Sequence, residues 1–128
     1  MSWDVSLLHP ITREVVDCGV NHGMTGGTFA IEIDEDGNYM PVSSLLELNV
    51  TYNYSPHYYR VLDTDLGLRW LHDKTASETI PKLKEAISLL GEDVDPDYWK
   101  PTEGNARKAL EHLLAFAEKA PDAIWEVS

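Results

Sequence analysis

The chain is short of cysteine, of positive charge and of long apolar runs, and each shortage closes off a class of structure. One cysteine, Cys18, allows no disulfide within the chain, so a disulfide-stapled scaffold is excluded. Its thiol reads more readily as a small buried hydrophobe than as a nucleophile. No apolar stretch approaches the ~18 residues of a membrane span, and no cationic stretch near Met1 leads into an apolar run as a secretory leader would. A cytoplasmic protein with no membrane contact is therefore expected. Lys and Arg number 10 against 22 Asp and Glu, for a net charge of −12. The deficit is spread: residues 1–64 carry two basic and nine acidic side chains, and residues 65–128 carry eight and thirteen. Direct binding to a nucleic-acid backbone needs clustered Lys and Arg and is not expected. A basic protein partner is favoured by electrostatic steering. The plain alternative is that the acidity only keeps a small protein soluble.

What is present suits one α+β domain spanning residues 1–128. Apolar residues make up 43% of the 128, enough for a core without metal or disulfide. Residues 2–8 alternate, with Trp3, Val5 and Leu7 on one face, as a half-buried strand does. Glu14–Cys18 is expected to return as the second arm of a hairpin. Residues 19–27 hold four glycines and no period, so they read as a loop. Thr28–Asp34 alternate again, with Phe29, Ile31 and Ile33 expected inward, and Glu35-Asp36-Gly37-Asn38 is a hairpin turn. The clearest strand covers 46–54, with Leu46, Leu48, Val50, Tyr52 and Tyr54 on one face.

The second half is helical. Ser55-Pro56 reads as a cap and first residue of a short helix through Leu62, and another short helix is expected over Leu66–His72. Ile80, Leu83, Ala86, Ile87 and Leu90 mark a helix over about 78–90, ended by Gly91. Thr75 and Glu78 have capping-box spacing, but a helix beginning there would carry Pro81 too deep, so Ser77 or Thr79 is the expected cap. Residues 92–101 form an acidic connector with a Tyr98-Trp99 pair. Thr102 caps a helix over about 103–119, whose stripe is Ala106, Ala109, Leu110, Leu113, Leu114 and Ala117. Ile124 and Trp125 are expected to fold back onto the core. The expected architecture is an antiparallel sheet of about four strands packed by two main amphipathic helices in a two-layer sandwich.

No motif in the chain is specific for catalysis, metal or nucleotide, and no cofactor is expected. Five weaker constellations stand beside plain readings. Glu47, Asn49, Thr51 and Asn53 recur at period two, so their side chains project together and can meet a ligand's polar edge. The plain reading is a solvated sheet face. The loop His22-Gly23-Met24-Thr25-Gly26-Gly27-Thr28 can bring amides to an anion, yet it lacks the Lys-Ser/Thr ending of a phosphate loop. Asp93, Asp95 and Asp97 fit the first positions of a calcium loop, but Tyr98 and Gly104 stand where glycine and glutamate belong. His57, near Asp63 and Asp65, has the makings of an acid–base group, though an ordinary histidine is the plainer reading. Tyr98 and Trp99 are interface anchors if exposed and core plugs if buried. Thr102, with Asn105 in the first turn, leaves amide donors able to meet an anion.

Gly26-Gly27-Thr28-Phe29, Leu48 through Tyr54, Gly67-Leu68-Arg69-Trp70-Leu71, and Asp97-Tyr98-Trp99 with Thr102 through Ala106 resemble a family of small acidic proteins of unknown function. Its members are encoded in phage, prophage and bacterial genomes. The resemblance carries no catalytic role, but it implies a small accessory protein acting on a host component. Three expectations follow. The first is a non-enzymatic binding protein, an inhibitor of a host component, that meets a basic partner through its acidic surface. The second is a binder of a small polar, nucleotide-like ligand held by Asn49, Thr51 and Asn53 with the 22–28 loop and the Thr102 helix terminus. The residues expected to meet a ligand or a partner are His22, Thr28, Asn49, Thr51, Asn53, His57, Tyr98, Trp99, Thr102 and Asn105. The third is a small hydrolase or transferase using His57 or His22 with a carboxylate. A homodimer through an exposed strand edge is a further expectation.

Overall fold

The computed structural model describes residues 1–27 and 30–128, without the side chains of residues 30, 31, 32, 39 and 41. It is an α+β protein with a three-stranded antiparallel sheet and three α-helices. In chain order the elements are β1 (Ser2–Leu8), β2 (Ala30–Ile33), β3 (Tyr39–Val42), β4 (Glu47–Thr51), α1 (Ser55–Val61), α2 (Ala76–Ser88), α3 (Glu103–Lys119) and β5 (Ile124–Val127). A 3₁₀ turn over Tyr52–Tyr54 precedes α1, and another spans Gly67–Leu71.

The hairpin arm expected over Glu14–Cys18 is not a strand, being joined only by isolated bridges, Leu8 to Val15 and Asp17 to Leu45, and the strands of the first half fall into two sheets rather than one. β1 lies between β4 and β5, and β2 pairs only with β3. The register sets Ser6 of β1 opposite Glu47 on one side and Glu126 on the other. Alternation then sends Trp3, Val5, Leu7, Leu48, Val50, Trp125 and Val127 into the core. Ser2, Asp4, Ser6, Glu47, Asn49 and Glu126 take the outer face. Trp125 is fully buried, its indole donating to Thr79 Oγ1 of α2 at 2.8 Å. The fold-back expected of Ile124 and Trp125 is thus a full strand on the edge of β1.

Both edges of the three-stranded sheet are covered. On β5, Asp73 N donates to Trp125 O and Trp125 N to Lys74 O, both at 2.9 Å. On β4, Gly27 N donates to Asn49 O at 3.1 Å and Asn49 N to Thr25 O at 3.3 Å. The Tyr98 hydroxyl completes that edge, donating to Asn49 O at 2.8 Å and accepting from Thr51 N at 3.1 Å. No strand can pair on either side without displacing these groups.

Four local expectations are corrected. The strand expected over 46–54 stops at Thr51, because Thr51 Oγ1 accepts from Asn53 N and turns the chain. Tyr54 is still buried, but by way of the 3₁₀ turn. Ser55 is the first residue of α1 rather than its cap, its hydroxyl donating to Tyr52 O at 2.5 Å. α2 begins at Ala76 with Thr75 and Glu78 as a capping box, and Thr75 N donates to Glu78 Oε1 at 2.9 Å. Pro81 therefore sits in the second turn. The early start is held by tertiary contacts: Ala76 N donates to Ala123 O at 2.8 Å and Ser77 N to Pro121 O at 2.9 Å. These satisfy two first-turn amides of a helix that was expected to begin later, at a Ser77 or Thr79 cap. Finally, Ile33 is 64% exposed rather than inward, since β2 and β3 form a ribbon apart from the main sheet. The Asp36-Gly37 turn is as expected, with Gly37 at φ 82° and Asp34 Oδ1 accepting from Asp36 N and Asn38 N. Phe29 lies outside the described residues, as does the side chain of Ile31.

Candidate functional site

α3 and the acidic connector before it build a cleft together with the loop over residues 22–27. Thr102 caps α3, its hydroxyl accepting from Asn105 N at 3.1 Å. The other first-turn amide with an anion is Gly104 N, which donates to Asp93 Oδ1 at 3.1 Å. The helix N-terminus thus already holds a carboxylate of its own chain. Gly104 permits this approach: a Cβ there would stand 2.4 Å from Asp93 C and Val94 N.

Asn105 fixes the connector. Its carbonyl oxygen accepts from Asp95 N at 2.9 Å, and its amide donates to Asp97 O at 2.9 Å and Lys100 O at 3.0 Å. It is 6% exposed, so the side chain acts as an internal clamp. The acidic side chains are tied locally as well. Asp95 Oδ1 accepts from Asp97 N, Asp97 Oδ1 from Trp99 N, and Lys100 Nζ lies 3.2 Å from Asp95. Among the described residues, no group of three or more His, Cys, Asp or Glu is placed to hold a metal ion.

The clamped connector presses Tyr98 and Trp99 onto β4. Gly27 lies beneath them, where a Cβ would meet Asn49 Oδ1 at 2.6 Å and the Tyr98 ring at 2.8 Å. Tyr54 donates its hydroxyl to Tyr98 O. Burial raises the Tyr98 phenol, although the hydrogen bond from Thr51 N pulls the other way. Trp99 is 48% exposed, so the pair divides: Tyr98 is a plug and Trp99 a surface ring.

The strand face expected to meet a ligand is therefore mostly roofed. Asn49 is 8% and Thr51 1% exposed. Both Asn49 amide hydrogens are used, on Ser2 Oγ at 2.7 Å and Asp4 Oδ1 at 3.0 Å. Asn53 leaves the row and donates to Trp99 O at 2.8 Å. His22 is tied at both ring nitrogens, Nε2 to Leu45 O at 2.7 Å and Nδ1 to Met24 N at 2.9 Å. His57 Nε2 lies 2.9 Å from Pro101 O. Among the described residues neither histidine touches a carboxylate. Thr28 lies outside them.

Beside Tyr98 a cleft of about 350 Å³ remains, within the size range of small-molecule sites. Leu48, Tyr54, Val94, Pro96, Tyr98 and Ala109 give it an apolar lining. Lys108 and His112 of α3 also line it, four residues apart on one helix face. Neither makes a hydrogen bond or ion pair among the described residues. Burial holds His112 below the ordinary histidine value, Lys108 adding to the effect and Glu111 opposing it. The sequence reading missed Lys108 and His112. The available signal was a Lys–His pair at helical spacing beside Ala109 in a chain poor in cations.

No protein family, curated protein or solved structure matches this chain.

Proposed function

We propose that the protein is a non-enzymatic binder of a small molecule with a flat apolar body and an anionic end, held in the cleft between α3, the connector and the 22–27 loop. One observation carries the reading: two cationic-capable side chains, Lys108 and His112, line an apolar cavity with no internal partner. The body would lie against Tyr54, Tyr98, Leu48 and Pro96, and the anion against the Lys108 ammonium. A net charge of −12 repels anions at a distance, but salt screens that field beyond ~8 Å at physiological strength, so the local cation decides. The site replaces the expected one on the strand face, keeping Tyr98 and Asn105 as its wall and its clamp. The nucleotide-like ligand narrows here to the class of aromatic acids.

The proposal takes the architecture as a two-layer sandwich, the inner sheet face against α2 and α3, and the location as cytoplasmic. Kinship with the phage- and prophage-encoded family belongs to it as well. What supports the kinship is that its segments meet in space, Gly26 and Gly27 lying under Asn49, Tyr98 and Trp99.

Titration with anilinonaphthalene sulfonate, followed by its fluorescence, tests the reading. Saturable one-to-one binding is expected, weakened about tenfold or more in Lys108→Ala, as loss of a charge-assisted contact implies. Binding that is unchanged in Lys108→Ala would sink it.

A further inference from the structure

A second, chemically opposite surface lies on the outer face of the three-stranded sheet. A groove of about 870 Å³ runs over it, walled by residues 42–45 and Thr25. Its floor is set by the register. Glu47, Ser6 and Glu126 form one row across β4, β1 and β5, and Asn49 and Asp4 form the next. Glu47 and Glu126 thus stand two strand spacings apart, roughly 10 Å between their backbones, with Ser6 between them. Asp4, Glu47 and Glu126 make no ion pair among the described residues.

An acidic row alone is often no more than a solvated face. Two further features set this one apart. Ser6 is only 8% exposed overall, and its hydroxyl, without a hydrogen-bond partner among the described residues, is the part left open on the groove. That hydroxyl is free to be met by water or by a group entering the groove. Second, both Asn49 amide hydrogens are already committed to Ser2 and Asp4, so Asn49 offers the groove no free donor. The floor therefore presents acceptors: the Asp4, Glu47 and Glu126 carboxylates and a hydroxyl that can accept.

We propose that this groove receives an arginine side chain from a basic protein partner. A guanidinium is planar and donor-only, with five N–H groups. It can meet Glu47 and Glu126 on its two sides and satisfy Ser6 between them. Lysine offers a point charge and leaves part of the acceptor row unmet. The partner is steered by the chain's negative field and positioned by this row. The surface adjoins the α3 cleft, sharing Thr25 and Leu48 with it, but the polar groups of its floor are different residues from Lys108 and His112.

Fluorescence anisotropy with a labelled Gly-Arg-Gly-Ser-Arg-Gly peptide in about 0.15 M salt, where distant charges are screened, tests the proposal. The Glu47→Gln/Glu126→Gln protein is expected to bind about tenfold more weakly, and Ser6→Ala about threefold, as loss of charge-assisted and neutral hydrogen bonds implies. Glu85→Gln/Glu118→Gln removes the same charge from α2 and α3, away from the groove, and is expected to change binding less than about twofold. Amide shifts in the unaltered protein are expected at Asp4, Ser6, Glu47, Asn49 and Glu126, a readout that does not depend on any variant folding. Equal losses in the two double variants would overturn the proposal as general charge attraction. A lysine peptide or spermidine binding as tightly as the arginine peptide would overturn the guanidinium assignment. Shifts centred elsewhere, or no binding, would overturn the site.

Discussion

The α3 cleft and the outer sheet groove lie on either side of β4, and their polar groups are treated in opposite ways. Around the cleft almost every hydrogen-bonding group is turned on the protein itself. Asn105 makes three side-chain bonds, Tyr98 seals the β4 edge, and Asp93 fills the α3 N-terminus. What is left for a ligand is apolar wall plus Lys108 and His112. In the groove the carboxylates of Glu47 and Glu126 and the Ser6 hydroxyl are left without internal partners among the described residues. The same strand supplies both, since Leu48 faces the cleft and Glu47 and Asn49 the groove. Residue type alone therefore does not separate a binding group from a structural one. Whether its hydrogen bonds are already used does.

The comparison can be broken most forcefully at Gly104. Gly104→Ala places a Cβ 2.4 Å from the Asp93–Val94 backbone, which must shift and free the α3 terminus. A loss of about 3 kcal/mol is expected, read by urea denaturation, and cleft binding should fall with it. Asn105→Ala leaves Asp95 N, Asp97 O and Lys100 O without their partner and should cost roughly 2–3 kcal/mol. Amide exchange should quicken over residues 94–100. Lys108→Ala, by contrast, should leave stability within about 0.5 kcal/mol while weakening anion binding about tenfold or more, and that contrast sharpens the distinction between wall and ligand group. Tyr98→Phe deprives Asn49 O and Thr51 N of their hydroxyl partner and should cost about 1–2 kcal/mol, seen as a lowered melting temperature.

The smallest effect is electrostatic. His112 is held below its ordinary value of 6.5, chiefly by burial, so the unfolded chain takes up this proton first. Its contribution to stability is whole above 6.5 and declines as pH falls below it. The groups facing it are Lys108 and Glu111 on α3, His22 from the loop and Asp95 across the cleft. Asp17, Asp63 and Asp95, lowered by hydrogen bonds, act in the same direction but only below 3.8. Denaturation midpoints between pH 7 and 5 should therefore fall in the unaltered protein and flatten in His112→Gln. Anion binding should tighten over the same interval, because a bound anion favours the protonated ring.

Much of the fold can be read from the residues alone, and what cannot is instructive. α3 and its Thr102 cap were legible because cap, stripe and stop are all local. The start of α2 was not, since Ala123 O and Pro121 O, more than forty residues away, satisfy its first amides. β5 was missed although Ile124-Trp125-Glu126-Val127 alternate; four residues are too few to be told from a fold-back. For the sites, period two correctly grouped Glu47, Asn49 and Thr51 on one face. It could not show that the glycine loop and Tyr98 would cover the Thr51 end and leave the Glu47 end open. Asn105 was flagged for its helix position, yet its role as a clamp depends on where the connector lies. Lys108 and His112 were passed over because a lysine and a histidine on the polar side of a helix look like solvated surface, and Lys108 is exposed; that both border a cleft with Val94, Pro96 and Tyr98 depends on where the connector lies.

The most direct test of two separate, chemically opposite surfaces is a ¹H–¹⁵N NMR titration of the unaltered protein with anilinonaphthalene sulfonate. Shifts confined to Gly26, Tyr98, Asn105, Lys108, Ala109 and His112, with Ser6, Glu47 and Glu126 unmoved, are the predicted result. Shifts at the groove residues, or spread evenly over the molecule, would contradict it.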